Sequence, residues 1–284
     1  MSQGFGMGHV AAGILPPADP HAIVAEIAAQ RRRNTRRFRI TFVVTWILMV
    51  GGLVGFLFVS GKIDTAFLAK WGGYILGGVG TTIFVAICSI VIAICFAVMG
   101  ALGRLSSNAI LFAVTTLYVS LVRGTPLIVQ ILFIYLALPQ IWSGFADVPA
   151  IALGIFALSF NYGAYMTETF RAGIQAVPRG QTEAAEALGM QSRTRMRRII
   201  LPQAVRIITP AIGNEFISMI KDSALVSIIA VPELLWRAQR VGQSNFRTLE
   251  TLLVAAAVYW GLTIVLSLFQ DRLEKRMAES DRRI

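Results

Sequence analysis

EAAEALGMQSRTRMRRIILP, residues 183–202, is a polar island in a chain that is otherwise apolar over long runs. Seven arginines (Arg171, Arg179, Arg193, Arg195, Arg197, Arg198 and Arg206) fall in and around it. Gln181 to Leu188 is rich in Ala, Glu and Leu, which are strong helix formers. Gly189 stands where a left-handed residue would close that helix. Ser192 is placed to cap a second helix over residues 193–200, and Leu201-Pro202 to stop it, because proline has no amide donor and restricts the residue before it. The spacing therefore predicts helix, sharp turn, helix, lying in water between membrane spans. Small Ala184, Ala185 and Ala187 would allow close approach by another protein. An ordinary amphipathic loop is the blander reading of the same residues.

The flanks identify the solvent. The 284 residues are 56% hydrophobic and 14% charged, with a mean hydropathy of +0.67. Soluble domains carry about 25% charged residues, so an all-α integral membrane protein is expected. Charge-free runs at 40–61 and 71–103 are each long enough to span, about 20 residues being needed. A third run, 105–138, is broken at Arg123-Gly124-Thr125-Pro126, where freed carbonyls need polar neighbours. Residues 150–175 give a fourth span, 207–231 a fifth with Glu215, Lys221 and Asp222, and 251–270 a sixth. With six spans and both termini inside, 19 Lys and Arg are cytoplasmic and five are outside, which obeys the positive-inside rule. Trp71, Trp142 and Trp236 then fall near the outer boundary. The net charge of +11 is thereby a matter of topology, and nucleic acid is not expected as a partner.

Residues 1–39 read as a retained cytoplasmic tail. Its arginines (Arg31, Arg32, Arg33, Arg36, Arg37 and Arg39) serve either as an orientation signal or as the face of a helix on anionic lipid. Cys88 and Cys95 read as packing residues. His9 and His21 both precede the first span, so neither a metal site nor a catalytic constellation is expected.

The pattern Glu183-Ala184-Ala185, three residues, Gly189, nine residues, Ile199-x-Leu201-Pro202 resembles the cytoplasmic loop of permease subunits in binding-protein-dependent ATP-binding-cassette importers. The flanks are similar to the polar amino acid branch (histidine, glutamine, arginine and opines). They include Arg123-Gly124-Thr125-Pro126-Leu127 with Gln130, Ala164-Tyr165 with Glu168 and Arg171, Val177-Pro178 with Gly180-Gln181, Gly213-Asn214-Glu215, and Lys221-Asp222. The resemblance implies a type I importer core of five helices over residues 72–275, with its coupling loop at 177–206. Residues 1–39, the extra first helix 40–61 and the C-terminal tail 276–284 surround that core.

The resemblance also implies a multi-pass inner-membrane subunit that is not itself an enzyme. Its partners would be two ATPase subunits that bind the ATP and Mg, a second permease subunit, an extracytoplasmic binding protein that usually selects the substrate, and membrane lipid. The chain's one Gly-Lys pair, Gly61-Lys62, is followed by Ile63 and lacks a phosphate loop's context. A self-sufficient secondary transporter is the competing reading.

Candidates for the substrate path are polar residues at helical spacing inside spans: Asn161, Tyr165 and Glu168 on the fourth, and Asn214, Ser218 and Lys221 on the fifth. Glu168 either meets a substrate amino group or pairs with Arg171. Lys221 either meets a substrate carboxylate or pairs with Glu215 or Asp222. Arg123 and Pro126 are expected to be structural, at the broken helix.

Overall fold

The computed structural model describes residues 20–59, 61 and 63–281. The expectations for residues 1–19, Lys62, and Arg282 and Arg283 lie outside them. Two compact units divide the chain, residues 1–63 and 64–284.

The first unit holds one helix, α1 (Pro20–Val59), continuous through the basic segment into the apolar run. The second is a helical bundle. α2 (Thr65–Leu76) starts at Asp64, whose carboxylate accepts from the amides of Ala66 and Phe67 at 2.9 and 3.1 Å. α3 (Gly78–Arg104) follows after a one-residue turn, and α4 (Ala109–Arg123) is capped by Asn108.

α5 (Leu127–Leu132), a π-helical turn (Phe133–Ala137) and α6 (Leu138–Ile141) form the second arm of the broken segment. α7 (Ala150–Gln175) returns through the core. The island is α8 (Arg179–Ala187), α9 (Ser192–Arg195) and a π-helical turn (Met196–Ile200) that runs on into α10 (Leu201–Asp222). A 3-10 stretch (Ser223–Ile229), α11 (Leu234–Asn245) and α12 (Thr248–Asp281) complete the chain.

α3 and α7 form the packed centre. Ala86, Ile90, Ala93 and Ala97, spaced three or four apart, put small groups on one face of α3, where Tyr162 and Met166 of α7 meet them. Two glycines make the approach close. A Cβ on Gly100 would collide with the side chain of Thr167, and one on Gly163 with Cβ of Phe96.

Four described helices are long and apolar enough to cross a bilayer: Arg33–Val59, Thr65–Arg104, Ala150–Gln175 and Thr248–Met277. The pair Ala109–Arg123 and Leu127–Ile141, bent by 107°, makes a fifth if its two arms are taken as one broken span. The expected fifth span, α10, is not among them. Arg206, Glu215, Lys221 and Asp222 lower its hydropathy; the helix packs against α3, α7 and α12, with Glu215 and Asp222 half-buried and Arg206 and Lys221 exposed.

Candidate functional site

The break after α4 is made by Thr125-Pro126, with Pro126 extended at φ −64°, ψ 138°. It frees the last carbonyls of α4, and side chains satisfy them. Thr125 Oγ1 donates to Leu121 O at 3.0 Å. Gln130 Nε2 lies within bonding distance of Val122 O (2.8 Å), Thr125 O (3.1 Å) and Thr125 Oγ1 (2.8 Å). Gln130 Oε1 in turn accepts from Asn161 Nδ2 of α7 at 3.1 Å. Arg123 lies over the ring of Tyr165, 5.2 Å from its centroid.

Beneath this knot lies a cavity of about 310 Å³ lined by Thr125, Pro126, Leu127, Asn161, Tyr162, Tyr165, Glu215 and Asp222. Asp222 Oδ2 accepts from the Tyr162 hydroxyl at 2.7 Å. Glu215 forms no ion pair among the described residues. A larger recess of about 610 Å³, lined chiefly by Leu121, Val129, Phe133, Trp142, Phe156 and Phe160, is apolar. A zwitterion would lose its hydration there without replacement. Two carboxylates, an amide, a hydroxyl and two phenols make the smaller cavity suited to an ammonium or guanidinium group.

Of the substrate-path residues expected from sequence, Asn161 and Tyr165 line this cavity, and Glu168, Asn214, Ser218 and Lys221 do not. Glu168 instead bridges two guanidiniums. Its Oε1 accepts from Arg104 Nε at 3.1 Å, and its Oε2 from Arg171 Nε and Nη2 at 2.8 and 2.7 Å. Arg104 also donates to Thr116 on α4 at 2.6 Å. Arg104 thus links α3 to the Glu168 carboxylate on α7 and to Thr116 on α4. Asn214 and Lys221 are exposed.

Glu233 has no counterpart among the expected residues. It is fully buried at the start of α11 and accepts from the Trp236 amide at 2.7 Å, Thr82 at 3.3 Å and the Tyr259 hydroxyl. The carboxylate so ties α11 to α3 and α12. Burial pushes it above the ordinary carboxylate range. An acidic residue directly before Leu234-Leu235 is an N-cap signal that the sequence offered.

On the island, α8 ends in a Schellman turn. The Met190 amide donates to Ala185 O at 3.0 Å, the Gly189 amide to Glu186 O at 2.9 Å, and Gly189 has φ +71°. Glu186 and Arg195 join the two arms at 2.5 Å. Two details differ from expectation. Gln191 occupies the cap position without a side-chain bond, and Ser192 is the first helical residue. The second helix also does not stop at Leu201-Pro202. The π-helical turn, with Ile200 buried and Ile199 half-buried, runs on unbroken into α10, and Pro202 is the second residue of that helix. Ala185 is buried, whereas Glu183, Ala184, Ala187 and Leu188 (81%) are exposed.

A bent, polar-lined helical bundle with an exposed helix–turn–helix belongs to a known class. Residues 93–279 match the family of binding-protein-dependent transport system inner membrane components, and the chain belongs to that family, in its amino-acid ABC permease branch. The probable amino-acid permease protein YxeN of Bacillus subtilis (strain 168) is 36% identical over 217 residues, 76% of this chain and 97% of YxeN. The arginine transport system permease protein ArtQ of the same organism is 34% identical over 73% of this chain and 94% of ArtQ. Its L-cystine transport system permease protein TcyB is 39% identical over 71% and 85%. The solved amino acid ABC transporter with histidines superposes with a TM-score of 0.71 at 37% identity, covering 75% of this chain and 99% of that one.

Proposed function

We propose that this chain translocates a polar amino acid across the cytoplasmic membrane, driven by ATP hydrolysis on two separate ATPase subunits. A second permease subunit and an external binding protein complete the assembly, and both termini of the chain are cytoplasmic. The observation that carries the reading is the island. An exposed Ala184, Ala187, Leu188 stripe, held at a fixed angle by the turn at Gly189, is a rigid surface for a partner groove. Glu183, Ala184, Ala185, Gly189, Ile199, Leu201 and Pro202 form or support that element.

Substrate crosses through the cavity below the broken helix. Asn161 and Tyr165 orient it there, while Glu215 and Asp222 receive its positive group. Glu168, paired to Arg104 and Arg171, holds α7 to α3 beside that path.

Those same two carboxylates also favour a second reading, an ion-coupled transporter working alone. Reconstitution separates the two. Vesicles holding the complete assembly are expected to concentrate amino acid only with ATP and binding protein. Uptake by this polypeptide alone under an ion gradient would overturn the proposal.

A further inference from the structure

α1 is a single helix of 40 residues, about 60 Å long at 1.5 Å per residue. The hydrocarbon layer takes up about 30 Å of such a helix, which Ile40–Val59 fills without a charge. The half before Ile40 therefore continues rigidly out of the bilayer rather than lying folded as a separate element. Arg31, Arg33, Arg36, Arg37 and Arg39 occupy its last two to three turns before the apolar run, all exposed. At 100° per residue they spread over more than half of the helix circumference, which makes a collar and not a stripe.

An aromatic ladder adjoins the collar. Phe38, Phe42 and Trp46 run along one face, with ring centroids 6.3 and 6.1 Å apart. Arg31 to Arg39 cover about 12 Å of the helix axis at 1.5 Å per residue, directly before the charge-free run that begins at Ile40, and Phe38 lies among them.

We propose that this collar is a binding surface for the phosphates of anionic phospholipids. The guanidinium forks match phosphate oxygens in charge and geometry, and juxtamembrane arginines gain free energy from an anionic leaflet. Orientation alone needs charge near the span. It does not need five described arginines spread around the girth of one helix over its last turns before the apolar run. α1 precedes the family-matched residues 93–279, so the surface is an addition to the transport core.

The test uses the full chain in nanodiscs with spin-labelled phosphatidylglycerol or phosphatidylcholine. The wild type is expected to hold phosphatidylglycerol several-fold more strongly, and high salt should erase the preference. The joint variant R31Q/R33Q/R36Q/R37Q/R39Q should lose it, and the corresponding five-lysine variant should keep most of it. A preference that survives in the glutamine variant would overturn the proposal. So would a wild-type preference that ignores salt, which covers the case of a glutamine variant that inserts poorly. Equal retention of both lipids, with these arginines cross-linking to an acidic surface of the ATPase subunit, would also overturn it and name a protein occupant.

Discussion

The hydroxyl of Tyr162 donates to Asp222 Oδ2 at 2.7 Å, joining the middle of α7 to the end of α10 across one wall of the polar cavity. The phenol sits against α3 through Ala86, Ile90 and Ala93, so the carboxylate is held from the most tightly packed part of the bundle. Tyr162→Phe keeps the ring and removes the donor. Hydrogen bonds to charged groups contribute about 1.5–3 kcal/mol, and a loss of that size is expected in detergent unfolding. Unchanged stability together with unchanged uptake would show that Asp222 has another donor.

Gln130 has a comparable role at the broken helix. Gln130→Ala would strip Val122 O and Thr125 O of their donor and leave Asn161 without its acceptor. Val122 and Asn161 are buried, and an orphaned buried group costs about 1–3 kcal/mol. The expected result is a less stable protein with faster hydrogen exchange at residues 120–130. Exchange unaltered there would mean that the break is held by something other than this side chain.

Asp64 and Glu233 lie outside the spans, each at the start of a helix, and respond to pH with opposite sign. The Phe67 amide, then Arg247 and the Ala66 amide, hold Asp64 below the usual carboxylate range. Its contribution is therefore present above that range and is lost as pH falls through the depressed value. Burial raises Glu233, so its contribution is present below the usual range and is lost as pH rises through the raised value. The stability advantage of the wild type over Asp64→Asn should shrink on acidification, and its advantage over Glu233→Gln should shrink on going alkaline. Thermal midpoints of the three proteins between about pH 2 and 8 check both signs, that of Asp64 at the acidic end and that of Glu233 toward neutrality.

Gly189 is strained for any side chain because of its backbone, not its surroundings: φ is +71°, and an added Cβ would meet nothing within 4 Å. Gly189→Val should cost about 1–2 kcal/mol locally and shift the angle between the arms. Gly189→Asn tolerates the left-handed region better. In the reconstituted assembly the valine variant is expected to hydrolyse ATP with little uptake, and the asparagine variant to transport. Equal transport by both would count against the turn as the coupling element.

How much of this was legible in the sequence depends on the range of each interaction. The turn at Gly189 is local, and helix formers followed by glycine announce it. Asn161 and Tyr165 lie four apart on one span, so helical spacing alone brings them to one wall. Arg104 and Glu168 are 64 residues apart, and no spacing rule connects them; the nearer Arg171 was visible, and only the fold adds the second guanidinium. Glu215 and Asp222 registered as a cost to inserting α10, because the sequence does not say that α7 covers them. Pro202 read as a helix stop because a π-helical turn leaves no compositional mark.

The sharpest test compares two carboxylates that look alike in the sequence. Glu215 lines the cavity and lacks an ion pair among the described residues, whereas both oxygens of Glu168 are taken by Arg104 and Arg171. A free carboxylate can answer a substrate cation. One bound by two guanidiniums would first have to release them, and breaking such a pair away from water is costly. Glu215→Gln should therefore raise the KM for a cationic amino acid about tenfold or more, equivalent to about 1.4 kcal/mol, with a smaller effect on a neutral one. Glu168→Gln should lower stability and leave the ratio of the two KM values near that of the wild type. Uptake kinetics for arginine and glutamine, read beside thermal midpoints of both variants, decide the matter. If Glu168→Gln changes the ratio and Glu215→Gln does not, the substrate's positive group belongs with Glu168, and the two guanidiniums must move aside during transport.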